Sequence, residues 1–314
     1  MIANEIVVGY DGSAGSRAGL DWAVRRARRL QLPLRVVHTM SVYNPLVAGF
    51  GQLAIVEDSE LAVAAKDLMV EAQARVARSA PDLVVSTEIL VGAPGPALLD
   101  VVASAESLVV GFRPHGRVFE LLLGSTSSRV TADAGCPVVV ARPDEPAVAP
   151  GPEAGRVVVG LDDSPASLRA LGFAVSEARE QGLELTVVHS WSAPVLGRHL
   201  PHRAETRRSA AEAGQAAELR SVLDGLCGSE GSFGEVESRL VLTKRPAAEA
   251  LVDASAGARM VVIGSRGRGA LGSIVLGSVS HTVLQHAHCP VAVLHPAQVR
   301  EPSARRSHES SSRL

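Results

Sequence analysis

The chain contains the same series of short motifs twice, about 150 residues apart, which is the size of one ordinary domain. The segment EIVVGYDGS at residues 5–13 returns as RVVVGLDDS at residues 156–164. Four further pairs follow in the same order: 34–38 and 185–189, 108–111 and 261–264, 123–125 and 276–278, 135–140 and 288–293. The spacing is 151 residues for the first two pairs and 153 for the last three, so the halves differ by a small net insertion. The repeat therefore predicts two copies of one fold.

Composition excludes several classes of protein. The chain has 314 residues and is 46% hydrophobic, which suffices for two cores, and its formal net charge of -2 gives no general attraction to nucleic acid or to an anionic membrane. Aromatic residues make up only 3%, too few for a stacking platform for single-stranded nucleic acid. No apolar run approaches the roughly 20 residues that span a bilayer, and residues 1–5 lack the basic and apolar regions of a signal peptide. We expect a cytoplasmic protein that binds no nucleic acid and does not insert into membranes.

Short apolar runs alternate with longer helical patterns in both halves, which is typical of βαβ units and a parallel sheet covered on both faces. The predicted strands of the first half are 6–9, 34–38, 85–91, 108–111 and 138–141. Those of the second half lie at Val157, Leu185, Val236, Met260 and Val291. The predicted helices of the first half are 16–30, 57–79, 96–104 and 125–134. With right-handed crossovers, the sequence predicts an α/β fold of two tandem, doubly wound domains, each with a five-stranded parallel sheet.

The domain boundary is predicted near residue 150. Residues 143–155 contain four prolines and two glycines, which favour an extended linker between a first domain at 1–142 and a second at 156–296. Residues 297–314 are rich in Ser, Arg and Glu and have little to bury, so this tail is predicted to be disordered.

Two segments follow the second strand of each half, at 41–57 and 192–208, and their Gly, Pro and small residues fit either lids over the strand ends or surface decoration. Other groups are expected to be structural. Cys136 and Cys289 stand at equivalent places before a proline and a strand, and we expect both to be reduced and buried. The basic positions of the first helix are expected to form a solvated face: Arg26, Arg28 and Arg29.

A glycine-rich segment follows the predicted fourth strand of the second half, GSRGRGALGSIVLGSVS at residues 264–280. Glycines let backbone N–H groups come close to an anion. Gly277 and Ser278 begin the next helix, whose N-terminus carries unpaired donors and a partial positive charge. In an open parallel sheet, ligands bind at the carboxyl ends of the strands where the winding reverses, so this segment is predicted to hold a phosphate chain.

Two common phosphate motifs do not fit this segment. Gly267, Gly269 and Gly272 match the dinucleotide pattern G-x-G-x-x-G, but no Asp or Glu occurs at 273–298 to hold a ribose, and the motif follows the fourth strand instead of the first. The P-loop pattern fails because no Lys follows the last glycine. What remains is a G-x2-G-x9-G-S spacing from Gly264 to Ser278.

With this spacing, the duplicated VVG-x-D-x-S at the first strand and the closing Cys-Pro-Val strand, the chain resembles the universal stress protein family over nearly its whole length, once in each half. It is similar to the ATP-binding branch, in the tandem form typical of actinobacterial members, whose fold is like that of the adenine nucleotide alpha hydrolases. The resemblance implies ATP as the ligand, with Mg²⁺ near Asp11 and Asp162, whose oxygen atoms suit a hard cation.

The resemblance also implies which residues lie at the nucleotide. In the first half these are Gly9, Asp11, His38, Val91, Gly111, Arg113, Gly116, Gly124, Ser125 and Thr126. In the second half they are Gly160, Asp162, His189, Gly264, Ser265, Arg266, Gly267, Arg268, Gly269, Gly277, Ser278, Val279 and Ser280. Simpler roles stay open for two pairs: Asp11 and Asp162 could cap the following helices, and His38 and His189 could be half-buried strand ends.

The two phosphate segments are not equivalent. Pro114 stands where the second half has Gly267, and a proline removes a backbone donor and fixes φ, so we expect the second half to bind ATP more tightly. Before the third helix, TKRP at 243–246 replaces VGAP at 91–94, so a long side chain could crowd or grip the second nucleotide.

The predicted function is ATP binding that regulates conformation or a partner surface, with no catalytic residue assigned. The alternatives are a slow ATPase or phosphoryl-transfer enzyme, which would need a base that the sequence does not reveal, and a scaffold with degenerate sites. The resemblance further implies that the closing strands near Val138 and Val291 pair across the halves, giving an internal pseudo-dimer that can dimerise again and bind a protein partner.

Overall fold

The computed structural model describes residues 4–40, 60–113, 124–143, 155–191, 236–267 and 276–296, together with 214, 217 and 219–221. Its strands are β1 (Ile6–Gly9), β2 (Leu34–Met40), β3 (Val85–Val91), β4 (Ser107–Gly111), β5 (Val138–Ala141), β6 (Arg156–Gly160), β7 (Glu184–Ser190), β8 (Ser238–Thr243), β9 (Met260–Gly264) and β10 (Val291–Leu294). Its helices are α1 (Ala14–Leu30), α2 (Glu60–Ser79), α3 (Pro94–Val101), α4 (Ser125–Asp133), α5 (Pro165–Gln181), α6 (Ala247–Ser255) and α7 (Ser278–His286).

All ten strands belong to one sheet, in the order β3-β2-β1-β4-β5-β10-β9-β6-β7-β8. Each half supplies five parallel strands, which confirms the predicted doubly wound arrangement. The halves meet where β5 and β10 pair antiparallel, with Val138 opposite Val293 and Val140 opposite Val291. In each half the winding reverses beside the first strand, between β1 and β4 and between β6 and β9, so a crevice forms at those carboxyl ends.

The sheet is buried on both faces because its strands are nearly continuous runs of valine, isoleucine and leucine. Side chains alternate between the faces along each strand, so Val139 joins one hydrophobic cluster and its neighbours Val138 and Val140 join the other. Each cluster contains residues of both halves. The two halves therefore share a continuous core on either side of the β5–β10 seam.

The predicted solvated basic face of α1 is wrong for Arg26. This side chain is only 3% exposed, and its Nη2 lies 2.6 Å from Oε1 of Glu106. Arg26 also forms an ion pair with Glu177 on α5 of the other half, and its guanidinium lies 4.6 Å from the centre of the Phe173 ring. Arg29 pairs with the same Glu177 at 3.2 Å. Arg26 is buried and Arg29 half-buried because residues of α5 pack against this face of α1, while Arg28 is exposed.

Element boundaries differ from the predictions at a few ends. β2 continues two residues beyond His38, and the helix predicted at 96–104 begins at Pro94, where the missing N–H of proline costs no helical hydrogen bond. Cys136 and Cys289 are buried and form no disulfide within the described residues, as expected. No described helix is long and apolar enough to cross a membrane. Most of the predicted linker, the predicted tail and both possible lids lie outside the described residues.

Candidate functional site

The loops after β1 and β6 are held by the same hydrogen-bond pattern. In the second half, Oδ1 of Asp162 accepts hydrogen bonds from the backbone N–H of Ser164 at 3.1 Å and from its hydroxyl at 2.6 Å. The Ser164 oxygen accepts in turn from the N–H of Ser167 at 3.2 Å and so caps α5. The capping residue is therefore the serine, while the aspartate shapes the loop that leads into the cap.

The first half repeats this loop. Oδ1 of Asp11 accepts from the N–H of Ser13 at 3.0 Å, and Ser13 caps α1 by accepting from Ser16 at 3.2 Å. Partial burial would raise the pKa of Asp11, but the hydrogen bonds from Ser13 and Ser16 and the charge of Arg113 outweigh it and hold the pKa below its usual value. The nearest approach of this ion pair is 3.6 Å, between Oδ2 of Asp11 and Nη1 of Arg113.

The helices that follow β4 and β9 begin differently. Gly124 and Gly277 precede α4 and α7, and no side chain caps either helix. The first N–H groups of α7, on Ser278, Val279 and Ser280, have no partner within the helix and lie at a cavity wall. α1 and α5 are capped by their own serines, whereas α4 and α7 begin at the cavities without a side-chain cap. α3 and α6 also begin uncapped at these walls, with Pro94 and Ala247.

Short backbone links hold the start of α7 in place. The N–H of Gly277 donates to the carbonyl of Ser265 at 2.9 Å, and the Ser280 hydroxyl donates to the carbonyl of Gly264 at 2.7 Å. In the first half, Ser127 makes the equivalent bond to Gly111 at 3.2 Å. These bonds join each helix start to the end of the strand before it.

The second half encloses a cavity of about 420 Å³, within the roughly 300 to 1,000 Å³ of ordinary ligand sites. Val188, Leu251 and Ile263 contribute apolar wall, while Asp162 and Arg266 contribute charge. Its remaining lining residues are Gly160, Leu161, Ser167, Ser190, Ala247, Gly264, Gly267, Gly277, Ser278, Val279 and Ser280.

The first half has a smaller cavity of about 300 Å³ at the equivalent place. Asp11 and Arg113, which form an ion pair, both line it, and Val37, Leu98 and Val110 contribute apolar wall. Its remaining lining residues are Gly9, Tyr10, Ser13, Ser16, Thr39, Pro94, Gly111, Gly124, Ser125, Thr126 and Ser127.

The structure brings most of the predicted site residues into these two walls. In the first cavity they are Gly9, Asp11, Gly111, Arg113, Gly124, Ser125 and Thr126. In the second they are Gly160, Asp162, Gly264, Arg266, Gly267, Gly277, Ser278, Val279 and Ser280. Gly116, Arg268 and Gly269, like Pro114, lie outside the described residues.

Four predicted residues lie beside the walls. Nδ1 of His38 is 2.8 Å from the carbonyl of Tyr10, and Nδ1 of His189 is 2.7 Å from the carbonyl of Leu161, so both rings brace the loop after the first strand of their half. Val91 ends β3 with 39% of its surface exposed, and Ser265 is buried behind the start of α7. Val37 and Val188, directly before the histidines, do line the cavities.

Some lining residues are not among those predicted from the sequence. Thr39 and Ser190 directly follow the histidines, and the end of the VVH run could have indicated them. Leu98 on α3 and Leu251 on α6 also line the cavities. They could have been predicted as apolar helix positions that face the strand ends.

The long side chain of Arg245 does not enter the second cavity. Its Nη1 lies 2.6 Å from Oδ2 of Asp253 and its Nη2 lies 3.6 Å from Oε2 of Glu249, both on α6. The carbonyl of Arg245 accepts a hydrogen bond from the Ser190 hydroxyl at 2.7 Å. This arginine therefore extends along the outside of α6, the helix that follows it, where Glu249 and Asp253 lie.

Comparison with known proteins identifies relatives of this chain. A sequence model of the Universal stress protein family matches residues 3–142 and again residues 153–295. Universal stress protein Rv2005c of Mycobacterium tuberculosis is 37% identical over 295 residues, covering 92% of this chain and 96% of that protein. Universal stress protein Rv2623 of the same organism is 34% identical, covering 92% and 95%.

Solved structures show the same fold. The crystal structure of a universal stress protein from Archaeoglobus fulgidus superposes with a TM-score of 0.66 at 20% identity, over 94% of this chain and all of that one. At this identity the likeness concerns the fold alone. The two family matches and the mycobacterial relatives show that the chain belongs to the universal stress protein family.

Proposed function

We propose that the chain binds ATP in both cavities and works as a nucleotide-dependent regulatory protein. The observation that supports this most is the uncapped start of α4 and of α7 at a cavity wall, while α1 and α5 in the same halves are capped by serines. Such helix ends bind phosphate through their free N–H groups and their partial positive charge.

The second cavity suits the separate parts of ATP. The N–H groups of Ser278, Val279 and Ser280 suit the phosphate chain, and the apolar wall at Val188 and Ile263 suits the base. A cavity of this size and mixed lining is typical of small-ligand sites.

Asp11 and Asp162 are the groups that would contact Mg²⁺. Within the described residues, no three His, Cys, Asp or Glu side chains come together as a metal cluster. One carboxylate in each half fits Mg²⁺, which usually takes one or two protein carboxylates and completes its shell with phosphate oxygens and water. The cation would then arrive with the nucleotide and neutralise part of its charge.

We propose that the two cavities differ in affinity, with the second binding ATP more tightly. The second cavity is larger, about 420 Å³ against about 300 Å³. In the first, Asp11 and Arg113 already pair at the wall, and a ligand that contacts both with phosphate and cation competes with this ion pair. The exchange of Gly267 for Pro114 points in the same direction, since proline has no N–H to offer.

Binding is favoured over catalysis by the composition of the second cavity. Its described lining contains one carboxylate, Asp162, and one guanidinium, Arg266. Asp162 already accepts two hydrogen bonds from Ser164, which suits it to hold a cation more than to take a proton from water. ATP would therefore act as a signal in the cytoplasm. Its binding would change the surface that the chain offers to a protein partner or to a second copy of itself.

Native mass spectrometry of the purified protein tests this function. Retained adenine nucleotide, or binding of added ATP and Mg²⁺, is the expected result, and a chain that carries and binds none would contradict the proposal. Single-turnover assays address hydrolysis separately. Turnover that disappears in Asp162→Ala while binding persists would favour the slow ATPase over a purely regulatory protein.

A further inference from the structure

Two crossed contacts join the halves beside the β5–β10 seam. Arg142 directly follows β5, and its Nη2 donates to the carbonyl of Leu284 at 2.6 Å, in the last turn of α7. His295 directly follows β10, and its Nε2 lies 3.1 Å from the carbonyl of Ala132, in the last turn of α4. Each half thus holds the far end of the helix whose first turn lines the other half's cavity.

A continuous set of contacts leads from the first cavity to Arg142. Arg113 lines that cavity, and Phe112 precedes it directly. The N–H of Phe112 donates to the carbonyl of Ala141 at 2.7 Å, which links the end of β4 to the end of β5. The guanidinium of Arg142 lies 4.1 Å from the centre of the Phe112 ring, a cation–π contact. These contacts connect Arg113 to Arg142 and, through the hydrogen bond to Leu284, to α7.

The second cavity is linked to His295 in a similar way. The N–H of Gly277, at the start of α7, donates to the carbonyl of Ser265 at 2.9 Å. The N–H of Ser265 donates to the carbonyl of Leu294 at 2.7 Å, and His295 is the next residue. The carbonyl of His295 also accepts from Nη1 of Arg169 on α5 at 2.8 Å. The start of α7 is thus joined through β10 to the end of α4.

Both contacts are partly buried, which makes them costly to break. His295 is 7% exposed, and burial lowers its pKa, which favours the neutral ring with its proton on Nε2, since a carbonyl can only accept. Arg142 is mostly enclosed by Phe112 and the last turn of α7. Losing either bond would leave a carbonyl and a polar side chain unpaired away from water. Both helices have nine residues, about 13 Å, and a helix this short moves as one body.

We propose that the two cavities are energetically coupled through Arg142 and His295, so that ATP in one half raises the affinity of the other. The inference rests on the proposed function, because it takes ATP as the ligand of both cavities. A ligand at the first turn of α7 fixes that helix and β10, and with them the end of α4. The second ligand then meets a helix that is already ordered. Coupling between binding sites is reciprocal, so filling the first cavity has the same effect on the second.

Calorimetric titration of the full chain with ATP and Mg²⁺ measures this coupling. The affinity of the first cavity is compared between the unmodified chain, where the tighter second cavity is already filled, and Gly277→Val, where it is blocked. We expect a ratio of about five or more. A ratio within about two would overturn the coupling while leaving ATP binding intact. A chain that binds no ATP would overturn the proposed function and the coupling together.

The crossed contacts are tested by Arg142→Met and His295→Leu, each made in both backgrounds. Methionine keeps apolar contact with Phe112 but cannot donate to Leu284, and we expect each variant to lower the ratio. His295→Gln keeps an amide donor for Ala132 and should preserve it, as should Arg28→Met at an exposed position of α1. An unchanged ratio in Arg142→Met and in His295→Leu would overturn the assignment.

Hydrogen exchange supplies a readout in folded protein that does not depend on affinities. In Gly124→Val, where the first cavity is blocked, ATP fills only the second. We expect added protection in the last turn of α4, and its absence in Gly124→Val combined with His295→Leu. Protection confined to the second half in Gly124→Val would contradict the proposal.

Discussion

A β-carbon on Gly267 would lie 2.5 Å from Oδ2 of Asp162, a separation that real β-carbons essentially never show. The carboxylate cannot easily turn away, because its other oxygen accepts from both the N–H and the hydroxyl of Ser164. The loops after β6 and β9 therefore meet at the second cavity in a way that only glycine allows. Position 267 is also where the halves diverge, since the first half carries Pro114 there.

Gly267→Ala should weaken ATP binding in the second cavity by about tenfold, equivalent to about 1.4 kcal/mol. The added methyl group forces Asp162 or the loop after β9 out of place, while the fold stays intact. Titration with labelled ATP and Mg²⁺ measures the change. Gly214→Ala is the matched control, because a β-carbon there meets no atom within 4 Å. Equal affinities for the two variants would show that the close approach has no role in binding.

Ser164→Ala should lower the free energy of unfolding by more than Ser13→Ala. Loss of either helix cap costs about 1 kcal/mol. Ser164 is also 5% exposed and bonded to Asp162 at 2.6 Å, and its oxygen lies 3.2 Å from the carbonyl of Arg266. Its removal leaves buried groups without their partner. Urea unfolding of both variants gives the comparison, and equal losses would count against this role of Ser164.

Arg26→Ala should destabilise the chain by about 3 kcal/mol, because it removes a buried partner of Glu177 and leaves only Arg29 and Gln181 beside that carboxylate. Glu177 is fully buried and Arg26 is 3% exposed, and the pair joins α1 of one half to α5 of the other. Denaturant unfolding measures the loss. Arg28→Ala, at an exposed position two residues further along α1, should change stability by less than about 0.5 kcal/mol. A small loss in Arg26→Ala would mean that the buried pair does not hold the halves together.

Acidification should destabilise the unmodified chain through His295. Burial lowers the pKa of this imidazole below its ordinary value of 6.5, so the unfolded chain takes up a proton more readily than the folded one. The stability associated with the neutral ring is complete above the ordinary pKa and is lost as the pH falls toward the folded value. Unfolding free energies measured between about pH 7.5 and about pH 5.5 should fall more in the unmodified chain than in His295→Gln. Parallel pH profiles would exclude this contribution.

Much of the fold could be predicted from the sequence because parallel strands buried on both faces leave uninterrupted apolar runs, as at Val138 and Val291. The open helix starts at Gly124 and Gly277 could be predicted because glycine offers no capping side chain. The burial of Arg26 could not. Helical periodicity identifies the faces of α1, but it does not reveal that α5 of the other half covers one of them.

The directions of the side chains at the strand ends could not be predicted from the sequence either. His38 and His189 stand beside the cavities, but their rings turn to the carbonyls of Tyr10 and Leu161. The neighbouring residues Val37, Thr39, Val188 and Ser190 line the cavities instead. Only the path of the loop after the first strand decides between these outcomes, and that path depends on the hydrogen bonds of Asp11 and Asp162 to the serines that follow them.

Calorimetric titration of the unmodified chain and of Gly277→Val tests most directly whether the start of α7 binds ATP. A β-carbon at Gly277 would lie 3.5 Å from the carbonyl oxygen of Ser265, an ordinary contact, so the variant should fold while its larger side chain obstructs the phosphates. We predict two binding events of unequal affinity in the unmodified chain, and loss of the tighter one in Gly277→Val at an unchanged unfolding temperature. No binding in the unmodified chain, or the same titration in both proteins, would contradict ATP binding at the start of α7.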